Sequence, residues 1–444
     1  MEVKTNTNPL QKKNAWALYF SLPVVSWAFY DFANTIFSSN INTIFFPFYL
    51  QEVIGENEVL DQIASTFISY ANAIASFFLV LFSPLFGVLI DRTGRKKRYI
   101  GIFTLITVVC TILMGVFAAS KMDGQILGIP VYLALVICFF VIAKFFYHSS
   151  LVFYDSMISD LGKKEELPLI SGFGVAVGYI GTLAGLCIYP FIGDHGSQAS
   201  FVPTAIMFFI FSLPLLFFVK EPKVEVKEKT SFLSGYREVF QTFQEMKNYR
   251  EVFLFMIAYF FLNDAIATTI AMMAIYAKAI VGFSSGEFIL LYLVSTVSSI
   301  IGSFLFGYVT KAKGAKLAVK YVGYLLLVAL AIAVLSIHPA MFWISGSMFG
   351  IALGSMWVTS RTLIVELTPE EKRGQFFGLF AFSGKVSAII GPFIYGTITW
   401  IFADYGNLAS RLALSSLILM TVLGLLVHRK LLKGGQKDRN EMFI

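Results

Sequence analysis

The chain has 444 residues, of which 57% are hydrophobic and only 14% are charged. A soluble domain carries about 25% charged residues, so the composition excludes one and indicates a polytopic membrane protein. The three cysteines stand inside apolar runs without metal-ligand spacing, which argues against a disulfide framework or a zinc site. We therefore expect no metal and no cofactor. The first apolar run is not a short cleavable signal, and we expect it to remain in the mature protein.

Twelve apolar runs are long enough to cross a bilayer, which takes about 20 helical residues. Helices are expected rather than strands, because strands would be half as long and would alternate polar with apolar residues. The predicted spans cover approximately residues 22–50, 63–90, 99–119, 130–157, 169–192, 201–219, 252–280, 287–309, 317–336, 340–363, 376–400 and 408–427. The predicted fold class is an all-α membrane protein with twelve transmembrane helices.

The basic residues predict the orientation of these spans. If both termini are cytoplasmic, 28 of the 34 Lys and Arg residues lie in cytoplasmic segments, and only Lys121, Lys278 and Arg411 lie outside. This distribution agrees with the positive-inside rule and favours a multi-pass protein of the cell membrane. The net charge of +7 is thereby explained without a nucleic-acid partner.

A charged segment divides the chain into two halves of six spans. We expect a first half at residues 1–219, a cytoplasmic linker at 220–251 and a second half with a cytoplasmic tail at 252–444. Within the linker, Phe232, Tyr236, Phe240 and Phe243 recur at helical spacing. This pattern predicts an amphipathic helix on the membrane surface, and a plain helical linker explains it as well.

The two halves carry matching loops. "GVLIDRTGRKK" (87–97) follows the second span and "GYVTKAKGAK" (307–316) follows the eighth, at an offset of 220 residues; Lys311 replaces Asp91 in the second copy. Such internal symmetry is expected of an alternating-access transporter. Asp91 is placed to meet a helix N-terminus or a cation when the cytoplasmic side closes. Orientation alone also explains the cations of this loop. The candidate gating residues of the loop are Gly87, Asp91, Arg92, Gly94, Arg95 and Lys96.

The first loop, with its altered copy, resembles the signature of the major facilitator superfamily, and the resemblance covers the whole chain. "WAFYDFANTIF" in the first span and "SRTLIVELTPEEKRGQFFGLFAFSGKVSAIIGPFIYG" across the tenth and eleventh resemble the branch that contains the vacuolar amino-acid effluxers of autophagy and many bacterial members. The resemblance implies two pseudo-symmetric halves, with the first, fourth, seventh and tenth spans around a central path. The second loop departs from the signature because it lacks the acidic residue.

Ionisable residues inside the spans map the expected cavity, because a charge in hydrocarbon costs several kcal/mol unless it faces protein or water. The third, sixth, ninth and twelfth spans have none in their interiors. At helical spacing, polar residues form a stripe on the first, fourth and seventh spans. The candidates for the substrate or proton pathway are Asp31, Asn34, Thr35, Ser38, Asn42, Lys144, His148, Asn263, Asp264, Thr268 and Lys385.

Each of these residues has a structural alternative. Asp31 is either a helix–helix anchor or a functional carboxylate; we favour proton exchange, because no cation shares its span. Asp264 and Lys385 either pair with each other or contact substrate. His148 is a proton relay or a packing residue. Three residues near the cytoplasmic ends of spans are further candidates for the gate or its rim: Asp155, Arg361 and Glu366.

The most concrete functional hypothesis is secondary active transport of a small polar solute, with protons as a candidate coupling ion. Cavity residues of both signs suit a zwitterion, and the resemblance favours efflux of amino acids. Export of hydrophobic drugs or lysolipids is the alternative within transport, and a membrane receptor or sensor is the alternative outside it. No Walker loop or nucleophile–base constellation indicates an ATP-driven pump or an enzyme. We expect a monomer.

Overall fold

The computed structural model describes residues 15–54, 58–120, 122, 124–126, 129–188, 196–221, 232–245 and 248–441. Most of the N-terminal segment and part of the predicted linker, residues 1–14, 222–231 and 246–247, lie outside these ranges. The described part is almost entirely helical, as expected where the backbone has no water to bond with.

The described residues of the first half form eight α-helices and one short hairpin of strands β1 (Gln125–Ile126) and β2 (Ile129–Pro130). A short helix precedes the first predicted span, and that span itself is divided between α2 and α3. The helices are α1 (Ala15–Tyr19), α2 (Leu22–Phe37), α3 (Phe46–Ile54), α4 (Glu58–Thr93), α5 (Lys96–Ser120), α6 (Val131–Met157), α7 (Leu167–Leu186) and α8 (Phe201–Phe218).

A linker helix, α9 (Phe232–Glu245), precedes the second half. It lies where the spacing of the aromatic residues predicts a helix. The helices of the second half correspond to the seventh to twelfth predicted spans. They are α10 (Arg250–Tyr276), α11 (Ser285–Lys313), α12 (Ala315–Val334), α13 (Pro339–Leu367), α14 (Arg373–Ile401) and α15 (Asn407–Glu441).

Among the described residues, eleven helices are long and apolar enough to cross a membrane. These eleven correspond to the second to twelfth predicted spans. The first span differs because a π-helix covers Ser38–Phe45 between α2 and α3. The expectation of one α-helix with 3.6 residues per turn is therefore wrong in this stretch. The prediction from that period that Asp31 and Asn42 share one helix face does not hold.

The halves pack closely against each other at one end of the bundle, which we call the basic end. It is the end where α4 finishes, where α5, α7 and α14 begin, and where the loop at Gly94 and Arg95 lies. Between the halves, α4 packs along α14 and α7 packs along α11. Buried apolar side chains from both halves form one continuous core there.

Candidate functional site

A carboxylate joins the two halves at the basic end. Asp91, near the end of α4, accepts hydrogen bonds from the backbone N–H groups of Gly374 (2.7 Å) and Gln375 (2.8 Å) in the first turn of α14. These are N–H groups that a helix leaves without an internal partner, and the helix dipole attracts a negative charge to the same place. Asp91 thus meets a helix N-terminus, the geometry that its position in the loop predicts.

Glycines permit this contact. A Cβ atom added to Gly87 would lie 2.5 Å from the carbonyl oxygen of Gly374, and one added to Gly378 would lie 2.6 Å from that of Ser83. A second glycine contact joins α7 to α11, where a Cβ on Gly172 would lie 2.8 Å from the carbonyl oxygen of Ser303. Side chains at these positions would separate the helices, so close packing at the basic end requires glycine.

The other residues of the first loop hold the first half and the linker helix together. Gly94 has a φ of 62°, a left-handed conformation that glycine adopts without strain and that ends α4. Arg92 pairs with Glu238 of α9 at 2.5 Å, and Lys96 pairs with Asp160 at 2.7 Å. The side chain of Arg95 is exposed. Of the predicted gating residues in this loop, Gly87 and Asp91 therefore contact the opposite half directly.

The matching loop of the second half lacks such a carboxylate. Gly314 has a φ of 83° and Lys316 pairs with Glu251 at 2.6 Å, so the turn and one ion pair are retained. At the position of Asp91, however, the second half has the exposed Lys311. A cation is unfavourable at a helix N-terminus. The carboxylate-to-helix contact is consequently a feature of the first loop.

A buried ion pair crosses between the halves farther from the basic end. Arg361 of α13 lies 2.8 Å from Asp155 of α6, and the Arg361 side chain is 8% exposed. Its guanidinium group stacks over the rings of Trp27, at 5.2 Å, and Tyr154, at 5.6 Å. Aromatic faces stabilise a desolvated cation. The structure thus brings together Asp155 and Arg361, which the sequence places separately near the ends of two spans.

Asp31 lies next to this pair. Its carboxyl group packs against Gly178 of α7, and its charge interacts with those of Arg361 and Asp155. The prediction that Asp31 has no cation in its own span is correct, yet α13 supplies one. Asp31 and the Arg361–Asp155 pair thus form one group of charges, to which both halves contribute.

Three basic side chains come together between α6 and α14. The Lys385 Nζ atom lies 3.2 Å from Nδ1 of His148, and the charges of Lys385 and Lys144 both interact with His148. Lys144 donates a hydrogen bond to the Asn72 side chain of α4. All three basic side chains are partly exposed. We call Lys144, His148 and Lys385 the cationic cluster; two members come from the first half and one from the second.

This cluster decides one alternative that the sequence left open. Lys385 contacts His148, and among the described ion pairs none joins it to Asp264. The Asp264–Lys385 pair is therefore wrong for this conformation. The predicted stripe Asn263, Asp264 and Thr268 is buried against α14 instead of lining water, with Asn263 donating to the Gly384 carbonyl at 2.9 Å.

The polar residues of the first span divide between packing and the cavity. Thr35 donates a hydrogen bond to the Gly178 carbonyl of α7, and Ser38 is partly exposed. The side-chain amide atoms of Asn34 and the side-chain oxygen of Asn42 are buried without a hydrogen-bond partner. Glu366 is an exposed residue near the end of α13, in agreement with a position on the rim.

Sequence reasoning missed the role of Asn40. Its side-chain amide donates to the Gly185 carbonyl (3.0 Å) and to the Thr204 hydroxyl (3.1 Å), which ties the π-helix to α7 and α8. Thr43 donates to the carbonyl of Ser38, five residues back, as the wider π-helical turn allows. An asparagine among apolar residues was visible in the sequence, but the break in helical period was not.

Two helical halves that meet at glycine contacts around intramembrane charges define a transporter of the major facilitator type. Solved structures agree with this fold. A bacterial homologue of the iron transporter ferroportin in its outward-facing state matches with a TM-score of 0.71 at 14% identity, covering 93% of this chain and 98% of the other. The human organic anion transporter MFSD10 (TETRAN) matches with a TM-score of 0.69 at 11% identity, covering 92% and 98%.

The chain belongs to the family described as "Vacuole effluxer Atg22 like", which matches residues 60–438. It is similar to the MFS-type transporter YxiO of Bacillus subtilis, with 26% identity over 415 residues that cover 90% of this chain and 93% of YxiO. It is also similar to autophagy-related protein 22 of Saccharomyces cerevisiae, with 22% identity over 273 residues that cover 52% of each chain. These relatives are transporters and not enzymes.

Proposed function

We propose that the protein is a secondary active transporter that exports a small zwitterion, an amino acid or a close relative, by alternating access. The observation that carries this proposal is the cationic cluster, which both halves build together. The two ammonium groups of Lys144 and Lys385 repel each other, and an anion between them relieves the repulsion. A carboxylate is the anion common to all amino acids.

A carboxylate is linked to the cationic cluster through Asp155, whose charge interacts with those of Lys385 and Asp31. Asp31 is partly exposed and lies within electrostatic range of the Arg361–Asp155 pair. Because Arg361 already binds Asp155, we assign to Asp31 the role of receiving the ammonium group of the substrate. A site with cations on one side and a carboxylate on the other suits a zwitterion better than it suits a simple anion or amine.

The direction and the membrane follow from charge and from the relatives. We propose that the basic end is cytoplasmic, with both termini on that side of the cell membrane, because 28 of the 34 Lys and Arg residues then lie inside. In that orientation the closed basic end is the outward-facing state of a monomer. The word "effluxer" in the description of the family supports export. We also propose that the segment at 220–251 links two halves that rock about the site.

Export of a hydrophobic drug or lysolipid is a second candidate. An apolar cleft between α10 and α14 supports it, since six of its lining side chains are Phe, Leu or Ile, with one Met and one Ser. Helices in contact with lipid also expose such clefts. The cleft contains no charged group, whereas a transporter for amphiphiles needs a place for the headgroup.

The experiment that tests the proposal is counterflow in proteoliposomes with labelled amino acids, a hydrophobic dye and a labelled lysolipid. We expect exchange of one or more amino acids and none of the other two. Lys385→Gln should lower the apparent affinity for the amino acid at least tenfold. The matched control is Lys320→Gln, because Lys320 lies on α12 over the ring of Tyr324, at 5.8 Å and away from the cluster.

Three results would contradict parts of the proposal. Exchange of the dye or lysolipid with no exchange of any amino acid would favour the second candidate. Binding of an amino acid to purified protein without any counterflow would favour a receptor or sensor. Equal losses in Lys385→Gln and Lys320→Gln would remove the cationic cluster from substrate recognition.

A further inference from the structure

Two pairs of helices hold the halves together at the basic end, and their contacts are built alike. We call α4–α14 the first seam and α7–α11 the second seam. In the first seam, a Cβ atom on Gly378 would lie 2.6 Å from the carbonyl oxygen of Ser83. In the second seam, a Cβ atom on Gly172 would lie 2.8 Å from the carbonyl oxygen of Ser303. Ser83 and Ser303 are separated by the same 220 residues as the matching loops, so the seams are equivalent parts of the two halves.

The ends of the two seams differ. Asp91 closes the end of the first seam by accepting hydrogen bonds from two backbone N–H groups at the N-terminus of α14. The equivalent residue beside the second seam is Lys311, whose side chain is exposed. Because a helix N-terminus repels a cation, Lys311 does not replace this contact at the N-terminus of α7. The second seam is therefore packed nearly as closely as the first, but it lacks the carboxylate.

The short helix α1 places a tyrosine across the second seam. Tyr19, the last residue of α1, is 1% exposed. Its ring stacks on that of Phe173 in α7, with 5.1 Å between the ring centroids and 17° between the planes. The same ring meets that of Phe304 in α11 at 5.7 Å. Phe173 and Phe304 directly follow Gly172 and Ser303 in the chain, so the Tyr19 ring lies beside the closest approach of the two backbones.

The other aromatic rings of this N-terminal segment point away from the second seam. Trp16 and Phe20 are 59% and 67% exposed, and their rings stack on each other at 5.9 Å. Exposed aromatic side chains of this kind hold a segment at the membrane–water interface. Tyr19 thus carries the aromatic contact of α1 with the second half, where Tyr308 of α11 interacts with it as well.

We propose that Tyr19 is a latch that keeps the second seam closed, in place of the carboxylate contact that the second loop lacks. When the basic end opens, α7 separates from α11. Tyr19 then stays with Phe173 on its own half and loses its contacts with Phe304 and Tyr308. The latch takes from the proposed function only the opening and closing of the basic end, and it depends on no particular substrate.

The test is the rate of thiol modification of a cysteine at position 83, in a full chain without the three native cysteines. Ser83 is buried in the first seam, so a cavity left by the missing Tyr19 ring in the second seam does not expose it. Tyr19→Ala should raise the rate about 2- to 13-fold, the range that one aromatic pair contributes. The matched control, Trp16→Ala, removes a larger ring from the exposed side of the same helix and should change the rate less than twofold.

Phe304→Ala serves as the second variant if Tyr19→Ala does not fold, because it removes the partner ring from the other half. The double variant should open little more than either single variant, since both lose the same contact. An unchanged rate in both single variants, an equal rise in Trp16→Ala, or multiplied effects in the double variant would overturn the latch. Asp91→Asn is the reference for opening: a faster rate there with no change in Tyr19→Ala would reject the latch and leave the proposed function intact.

Discussion

Replacing Asp91 with Asn should open the basic end without changing the substrate site. The carboxylate accepts two hydrogen bonds, of 2.7 and 2.8 Å, at the N-terminus of α14. Each bond to a charged acceptor contributes about 1.5–3 kcal/mol, and an Asn side chain keeps one accepting oxygen. Loss of one bond and of an interaction with the helix dipole of about 0.3–1 kcal/mol totals about 2–4 kcal/mol. This energy shifts the equilibrium away from the closed basic end by about 30- to 700-fold.

The assay is the rate of thiol modification of a cysteine at position 171. Ser171 is buried between the halves and donates to the Val358 carbonyl at 3.4 Å, so a reagent reaches it only when the basic end opens. The background should lack the three native cysteines. If opening is rare and fast, the labelling rate should increase with the population of the open state, by about 30- to 700-fold in Asp91→Asn.

Asp160→Asn is the control for this prediction. It removes a negative charge at the same end of the bundle, but its partner Lys96 belongs to the same half, so labelling at position 171 should hardly change. An unchanged labelling rate in Asp91→Asn, or an equal increase in both variants, would refute the assignment of Asp91 to closure of the basic end.

Further predictions concern the other contacts between the halves. Gly87→Ala should also open the basic end, because its methyl group would lie 2.5 Å from a backbone oxygen. The control, Gly101→Ala, meets a leucine side chain at an ordinary 3.4 Å and should have little effect. Equal labelling rates at position 171 in the two variants would contradict this prediction. Arg361→Gln or Asp155→Asn alone should lower the melting temperature more than the double change. Each single variant removes one partner of a buried ion pair, at a cost of about 3–5 kcal/mol. Additive losses of stability would show that the two residues act independently.

Much of the fold could be predicted from the sequence, because apolar length and the positions of charges are local properties. The predicted spans 130–157 and 201–219 agree with α6 and α8 to within one residue. The π-helix at Ser38–Phe45 could not be predicted in this way. It depends on contacts such as those of Asn40 with α7 and α8, which are far away in the sequence.

The candidate site could be predicted only as a set of residues. Intramembrane charge identified Asp31, Asp264 and Lys385 as candidates, since burial of a charge is costly wherever its partner lies. Their partners come from other helices, so the sequence did not reveal that Arg361 lies near Asp31 or that Lys385 contacts His148. The functions of these residues stay predictions.

The central claim is that both halves together recognise the carboxylate of a zwitterion, and a ligand series tests it most directly. Binding of an amino acid that undergoes counterflow should be compared with binding of the amine that has the same side chain but no carboxylate, by thermal stabilisation of purified protein. We expect the amino acid to stabilise the wild-type protein and the amine to do so at least tenfold more weakly. Lys385→Gln should reduce this difference. Equal stabilisation by both ligands, or full discrimination in Lys385→Gln, would contradict the account.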